Sequence, residues 1–303
     1  MNHLQLLIKT FTSPHSKFFM PMNEFISELA TLAPYIIGKK NELPEPSKDS
    51  RILPVPGANL TEYYDSQDIH SNSIAYYRVS GTIIADSRWY DSSKKLLNNL
   101  LRADDNERIS AHFIHITSGG GEAWLLDQLA QTIHNLKKPA HAFIERIAGS
   151  AAYYIASQCD YISASTPFDI VGSIGTMVSF MDLQPMLEKW GINFIEEYAS
   201  QSDLKNKKYH DLISGKPEQY ITEELDPLAA RFIADVKRGR SALKSAKDDN
   251  PVFRGETFYA DKAINVGLID TIESYSDAVN RLNATANSSN KNIRARALNL
   301  LND

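Results

Sequence analysis

Hydrophobic and polar positions along the chain alternate between short apolar runs, glycine-punctuated turns and stretches of helical spacing. Ile74-Ala75-Tyr76-Tyr77-Arg78-Val79 predicts a strand, with Gly81 as a turn or bulge and Thr82-Ile83-Ile84 continuing the extended run. Between residues 91 and 102, Leu96, Leu97, Leu100 and Leu101 share one face and predict a helix, which the polar run Asp104-Asp105-Asn106-Glu107 ends. Residues 111–116 read as a buried strand leading into Gly119-Gly120-Gly121. A helix follows, marked by Leu126, Leu129, Ala130, Ile133 and Leu136 at helical spacing. The unit repeats as a strand over 140–145, a turn at Gly149-Ser150, an apolar helix through Tyr154 and Ala156, and a strand over 161–163. Strand, tight turn and helix in this order make βαβ units, whose strands run parallel.

The second half is less regular. Ile170-Val171-Gly172-Ser173-Ile174-Gly175 is an apolar piece broken by glycines, in which Ser173 reads as a turn hydroxyl. Residues 183–190 predict a short helix stopped by Gly191, and 193–198 a strand. The polar run 199–210 carries Lys205, Lys207 and Lys208, and 217–240 predicts the longest amphipathic helix, striped by Ile221, Leu225, Leu228, Ala229, Phe232 and Val236. Residues 258–270 read as a short helix ended by Gly267 and running into a strand. The Asn, Ser and Ala content beyond about Arg281 predicts a mobile tail. Residues 1–70, with Pro44, Pro46, Pro54, Pro56 and Gly57, predict an appended helical arm and linker. The expected division is 1–70 extension, 71–280 core domain and 281–303 tail.

Composition narrows the class. A hydrophobic content of 43% over 303 residues supports a real core, and a net charge of −5 argues against a broad nucleic-acid surface. The single cysteine, Cys159, cannot form an internal disulfide and reads as a core residue in a reducing compartment. The apolar stretch 25–37 is interrupted by Glu28 and Pro34 and is too short to span a bilayer, and residues 1–10 lack the pattern of a signal peptide. The expectation is a soluble cytoplasmic protein. Without a Walker A sequence or His and Cys pairs at metal-ligand spacing, no nucleotide, metal or other cofactor is implied.

Ser150 is the candidate nucleophile. Gly149 and Ala151 leave no bulk beside it, so a strand-to-helix turn can present its hydroxyl with the helix N-terminus beneath. Serine before a helix is also an ordinary cap. The glycine-rich run after residue 117 adds a second turn expected at the same sheet end, and with it a second set of backbone N–H groups. A serine hydroxyl needs a base within reach. His112, His115, His134 and His141 precede Ser150 and have no obvious acidic partner by spacing. Lys205, Lys207 and Lys208 follow it, and a lysine can act as base where burial disfavours its ammonium, although a lysine-rich loop is equally a solvated surface.

Ser118-Gly119-Gly120-Gly121, Gly149 through Ala156, Val171-Gly172-Ser173-Ile174-Gly175 and the segment 263–270 together resemble the successive motifs of the signal peptide peptidase A family of serine proteases. The likeness covers about 74–280, and the single-copy length resembles the phage and prophage branch that includes capsid-assembly proteases. It implies a Clp/crotonase-like fold of stacked ββα units and a Ser-Lys dyad cleaving peptide bonds through an acyl-enzyme without ATP. Ser150 falls on the family's nucleophile and Lys205 best matches its lysine. Gly120 and Ala151 match the oxyanion donors. The resemblance further implies a homo-oligomeric ring in which the serine of one unit meets the lysine of the next.

Two positions depart from the family pattern. Gly119 stands where proline is usual, and Ser200-Gln201-Ser202-Asp203-Leu204 replaces the usual lead-in to the lysine, leaving Lys207 and Lys208 as alternatives. A Clp-type Ser-His-Asp site would need a histidine near Val171-Gly172-Ser173, where none occurs. A crotonase-type acyl-CoA enzyme would use the glycine turn without Ser150, and an inactive peptide-binding assembly factor would need neither serine nor lysine.

Overall fold

The computed structural model describes residues 69–86, 92–180 and 182–300, with 53, 55–62 and short pieces at 18–19, 30, 33–35 and 39. The apolar stretch 25–37 lies mostly, and the linker 41–50 wholly, outside the described residues. The first elements are β1 (Phe18–Phe19), β2 (Leu60–Glu62), β3 (Ser73–Ile83), α1 (Ser93–Asp105), β4 (Ile109–Glu122), α2 (Leu126–His134), β5 (Ala140–Gly149), α3 (Ala151–Ala156), β6 (Tyr161–Ala164) and β7 (Ile170–Gly172). They are followed by α4 (Gln184–Lys189), α5 (Lys207–Ile213), α6 (Asp226–Gly239), β8 (Thr257–Tyr259), α7 (Ala260–Asn265), β9 (Thr271–Ile272) and α8 (Tyr275–Leu300).

The sheet has the order β2-β3-β4-β5-β6-β9, every pair parallel, as the βαβ reading requires. β7 adds in parallel to the end of β5 and pairs antiparallel with β8, while β1 lies antiparallel on the end of β4. Such strands are covered on both faces and so carry unbroken apolar runs. Ile74, Ala75, Tyr76 and Tyr77 are all buried, as are Phe113, Ile114 and Ile116. One core holds Leu100, Leu129, Ile133, Tyr153 and Phe232 from the helices on one side. A second, on the opposite face, packs Ile74, Phe113 and Phe143 against Ala278, Val279, Leu282 and Ala286 of α8.

That second core corrects the expected tail. The backbone is helical through Leu300, and Leu282 and Ala286 are 3% and 1% exposed. Residues 278, 279, 282 and 286 recur at helical spacing and give the helix a stripe for the free face of the sheet. At the other end, β2 joins the sheet through Leu60↔Ile74, so the sheet begins before residue 71.

Three further elements differ from expectation. Gly119-Gly120-Gly121 continues β4 instead of turning into a helix, because Gly120 and Gly121 pair with Thr82 and Ile83. Residues 192–199 are irregular and almost wholly exposed. No strand runs beside them among the described residues, and a strand needs a partner for its backbone groups. The long helix is broken into a turn at Glu218–Tyr220, a π turn at Ile221–Leu225 and α6. Pro227 removes one i→i−4 bond there, which the wider turn accommodates.

Candidate active site

β5 carries the local feature that builds the site. Its register with β4 runs evenly to Ile116↔Ile144 and resumes only at Ser118↔Ala148, so three residues of β5 oppose one of β4. Arg146, at φ 73°, sits in this bulge, its N–H donating to Asp169 Oδ1 at 3.1 Å. The bulge realigns β5 on β4, and beyond it Ile147, Ala148 and Gly149 also pair with Ile170, Val171 and Gly172.

Ser150 lies on the next residue with φ 53° and ψ −116°, a conformation that non-glycine residues rarely adopt. Its N–H donates to the Gly172 carbonyl at 2.7 Å, and its side chain makes no capping bond to α3. The capping role open to a serine before a helix is thus not what this hydroxyl does. A Cβ on Gly149 would stand 2.9 Å from the Gly119 carbonyl oxygen, so this glycine lets β4 and the serine turn approach closely. The helix behind is held rigidly. Tyr153 Oη donates to the Leu268 carbonyl at 2.8 Å, and Tyr154 stacks on Phe232 with ring centroids 4.4 Å apart while donating to buried Asp235.

The two expected oxyanion donors differ. Ala151 is the first residue of α3, where an N–H has no intrahelical acceptor. The Gly120 N–H instead donates to Ser118 Oγ at 3.1 Å, and that hydroxyl donates to the Gly81 carbonyl at 2.6 Å. In this state only Ala151 is placed as an open donor.

Lys205 is exposed on the stretch between residues 190 and 207, almost every residue of which is exposed, and among the described residues no hydrogen bond links it to Ser150. The three candidate lysines nevertheless separate. Lys207 pairs with Asp211, and Lys208 reaches Glu223 and Glu224, each at 2.8 Å. Those two glutamates hold the Lys208 ammonium above its usual pKa, opposite to what a base requires. Lys205 Nζ has no such ion pair among the described residues.

Sequence spacing missed the acidic partners of the histidines. His112 meets Asp104 at 3.2 Å and Tyr77 at 3.0 Å, and His115 meets Glu145 at 3.0 Å and Tyr76 at 2.8 Å. These contacts are structural. His112 stands opposite Ala140, the first residue of β5, roughly 30 Å by strand rise from Ser150 beyond its end. Cys159 is buried, and burial pushes its thiol well above the usual range, which removes it as a nucleophile.

A strained serine between a parallel strand and a helix, beside a glycine-rich strand and with no histidine hydrogen-bonded to it among the described residues, defines a serine-hydrolase type of site. The chain belongs to Peptidase family S49, which it matches over residues 133–289, a span containing Ser150 and Lys205. It is 28% identical to Protease 4 of Haemophilus influenzae over 221 residues, 71% of this chain and 35% of that protein. Identity is also 28% over 221 residues to a protein of Methanocaldococcus jannaschii that carries a protease name, covering 69% of this chain and 64% of that one. The chain thus spans about a third and under two thirds of these relatives' lengths. Among solved structures, the 1510-N membrane-bound stomatin-specific protease aligns over 70% of this chain and 84% of its own, with 14% identity and a TM-score of 0.42.

Proposed function

We propose that this chain is a serine endopeptidase in which Ser150 attacks the peptide carbonyl, Lys205 is the base, and Ala151 N–H, joined by Gly120 N–H, receives the oxyanion. The observation that carries the reading is the Ser150 turn itself, a strained backbone that presents a hydroxyl with no capping duty inside the span shared with the peptidase family. Taking the proton from Ser150 Oγ lets it add to the carbonyl carbon. The amine leaves with that proton, and water then releases the acyl group from Ser150 by the reverse sequence. Gly120 joins the oxyanion hole by exchanging Ser118 Oγ for the substrate oxygen.

A lysine acts as base only where burial disfavours its ammonium, and within one chain Lys205 is exposed. A homo-oligomer in which Lys205 of one subunit closes over Ser150 of the next supplies both proximity and desolvation. The exposed side chains of Trp190, Ile192, Phe194, Ile195 and Leu204 on the same stretch favour such an assembly. Among the described residues no helix is long and apolar enough to cross a membrane. Two narrower roles fit the reading, degradation of cleaved signal or membrane peptides and maturation of a head-assembly protein, and mass spectrometry of cleavage products distinguishes them. The reaction is tested with Ser150→Ala, which replaces one oxygen by hydrogen in a turn that alanine can keep. Hydrolysis falls by several powers of ten with the fold unchanged, whereas activity within about tenfold of wild type rejects the nucleophile.

A further inference from the structure

We propose that the chain's own strand β1 occupies the edge of β4 along which an extended substrate reaches Ser150, and so acts as an internal competitor; this rests on the peptidase reading above. A strand has two edges. At Gly120 and Gly121 one edge of β4 is taken by β3, through Thr82 and Ile83. The other faces β5 only as far as Ser118↔Ala148, and β5 ends one residue later, at Gly149. The strands therefore part where Gly149 gives way to Ser150, and the β4 edge left open faces the nucleophile.

β1 fills that edge. Phe19 pairs with Gly121 and Phe18 with Glu122, antiparallel, so the chain direction from Phe18 to Phe19 leads toward Gly120 and the serine. Ser150 is 1% exposed. A peptide added as a strand uses the backbone N–H and C=O groups of the edge it joins. Gly121 and Glu122 cannot give theirs to β1 and to a substrate together. The occupant is covalently attached, and tethering gives even a weak strand an effective concentration that a free peptide must overcome.

The test uses the full chain carrying Phe18→Pro and Phe19→Pro, because proline cannot donate to the ladder. With a peptide that the wild type cleaves, KM falls about fivefold at unchanged kcat, as loss of a tethered competitor requires. A synthetic peptide of residues 14–24 then inhibits the variant competitively. In a Ser150→Ala background, where no turnover occurs, the Gly121 and Glu122 amides exchange faster once the prolines are present. Unchanged KM overturns the inference, and so does absence of inhibition by the peptide at millimolar concentration. If no form of the protein hydrolyses peptide, the peptidase reading fails instead, and unchanged amide exchange then overturns the placement of β1.

Discussion

Ser150 sits at φ 53° and ψ −116°, and holding a non-glycine residue in such a region costs about 1–3 kcal/mol. The cost is met locally by the bond from its N–H to Gly172, the close contact of Gly149 with Gly119, and the anchoring of Tyr153 and Tyr154. The sequence contained this turn in the order Gly149-Ser150-Ala151, since only small neighbours leave room for it. It did not contain the Arg146 bulge, because a bulge depends on the register of two strands and leaves no local signature. Buried histidines set a separate property. His141 is 1% exposed with Ser163 Oγ at 2.7 Å from its Nε2, and burial depresses its pKa to about 3. A depressed histidine stabilises the fold above its unfolded value, near 6.5, and that stability is lost as pH falls from there toward 3. Stability against urea should therefore fall by up to a few kcal/mol as pH drops across this window, and His141→Gln should flatten the slope. An unchanged slope in the variant would reject this origin.

Among the elements, parallel β3, β4 and β5 were legible because near-continuous apolar runs bounded by polar or glycine turns have few other interpretations. The strand expected at 193–198 failed for the complementary reason: Ile192, Phe194 and Tyr198 alternate like a strand, but alternation does not say where the partner is. The α8 helix was hidden by composition, its Asn, Ser and Ala content outweighing the spacing of Ala278, Leu282 and Ala286. Register around the lysines was also open in the sequence, and among the described residues Lys207 and Lys208 are held in ion pairs. Lys205→Ala should be as inactive as Ser150→Ala, whereas Lys207→Ala and Lys208→Ala, which lose only pairs with Asp211, Glu223 and Glu224, should keep most of their activity. Steady-state kinetics of the three variants decide it, and an active Lys205→Ala beside one inactive neighbour would move the base while keeping the dyad.

For the whole molecule, one chain holds the candidate nucleophile buried between β5 and α3 and the candidate base on an exposed stretch, so assembly is where the account carries most weight. Mixing inactive Ser150→Ala with inactive Lys205→Ala under subunit exchange should restore part of the activity, because mixed assemblies contain intact pairs. No recovery despite demonstrated exchange, or an active monomer by light scattering, would reject the shared site. The central claim, that Ser150 is the nucleophile of an acyl-transfer peptidase, is tested most directly by labelling the native protein with a fluorophosphonate and mapping the adduct by peptide mass spectrometry. The account predicts a single adduct on Ser150, blocked by prior incubation with substrate and accompanied by loss of hydrolysis. An adduct on another residue, or hydrolysis that persists after Ser150 is fully modified, would contradict it.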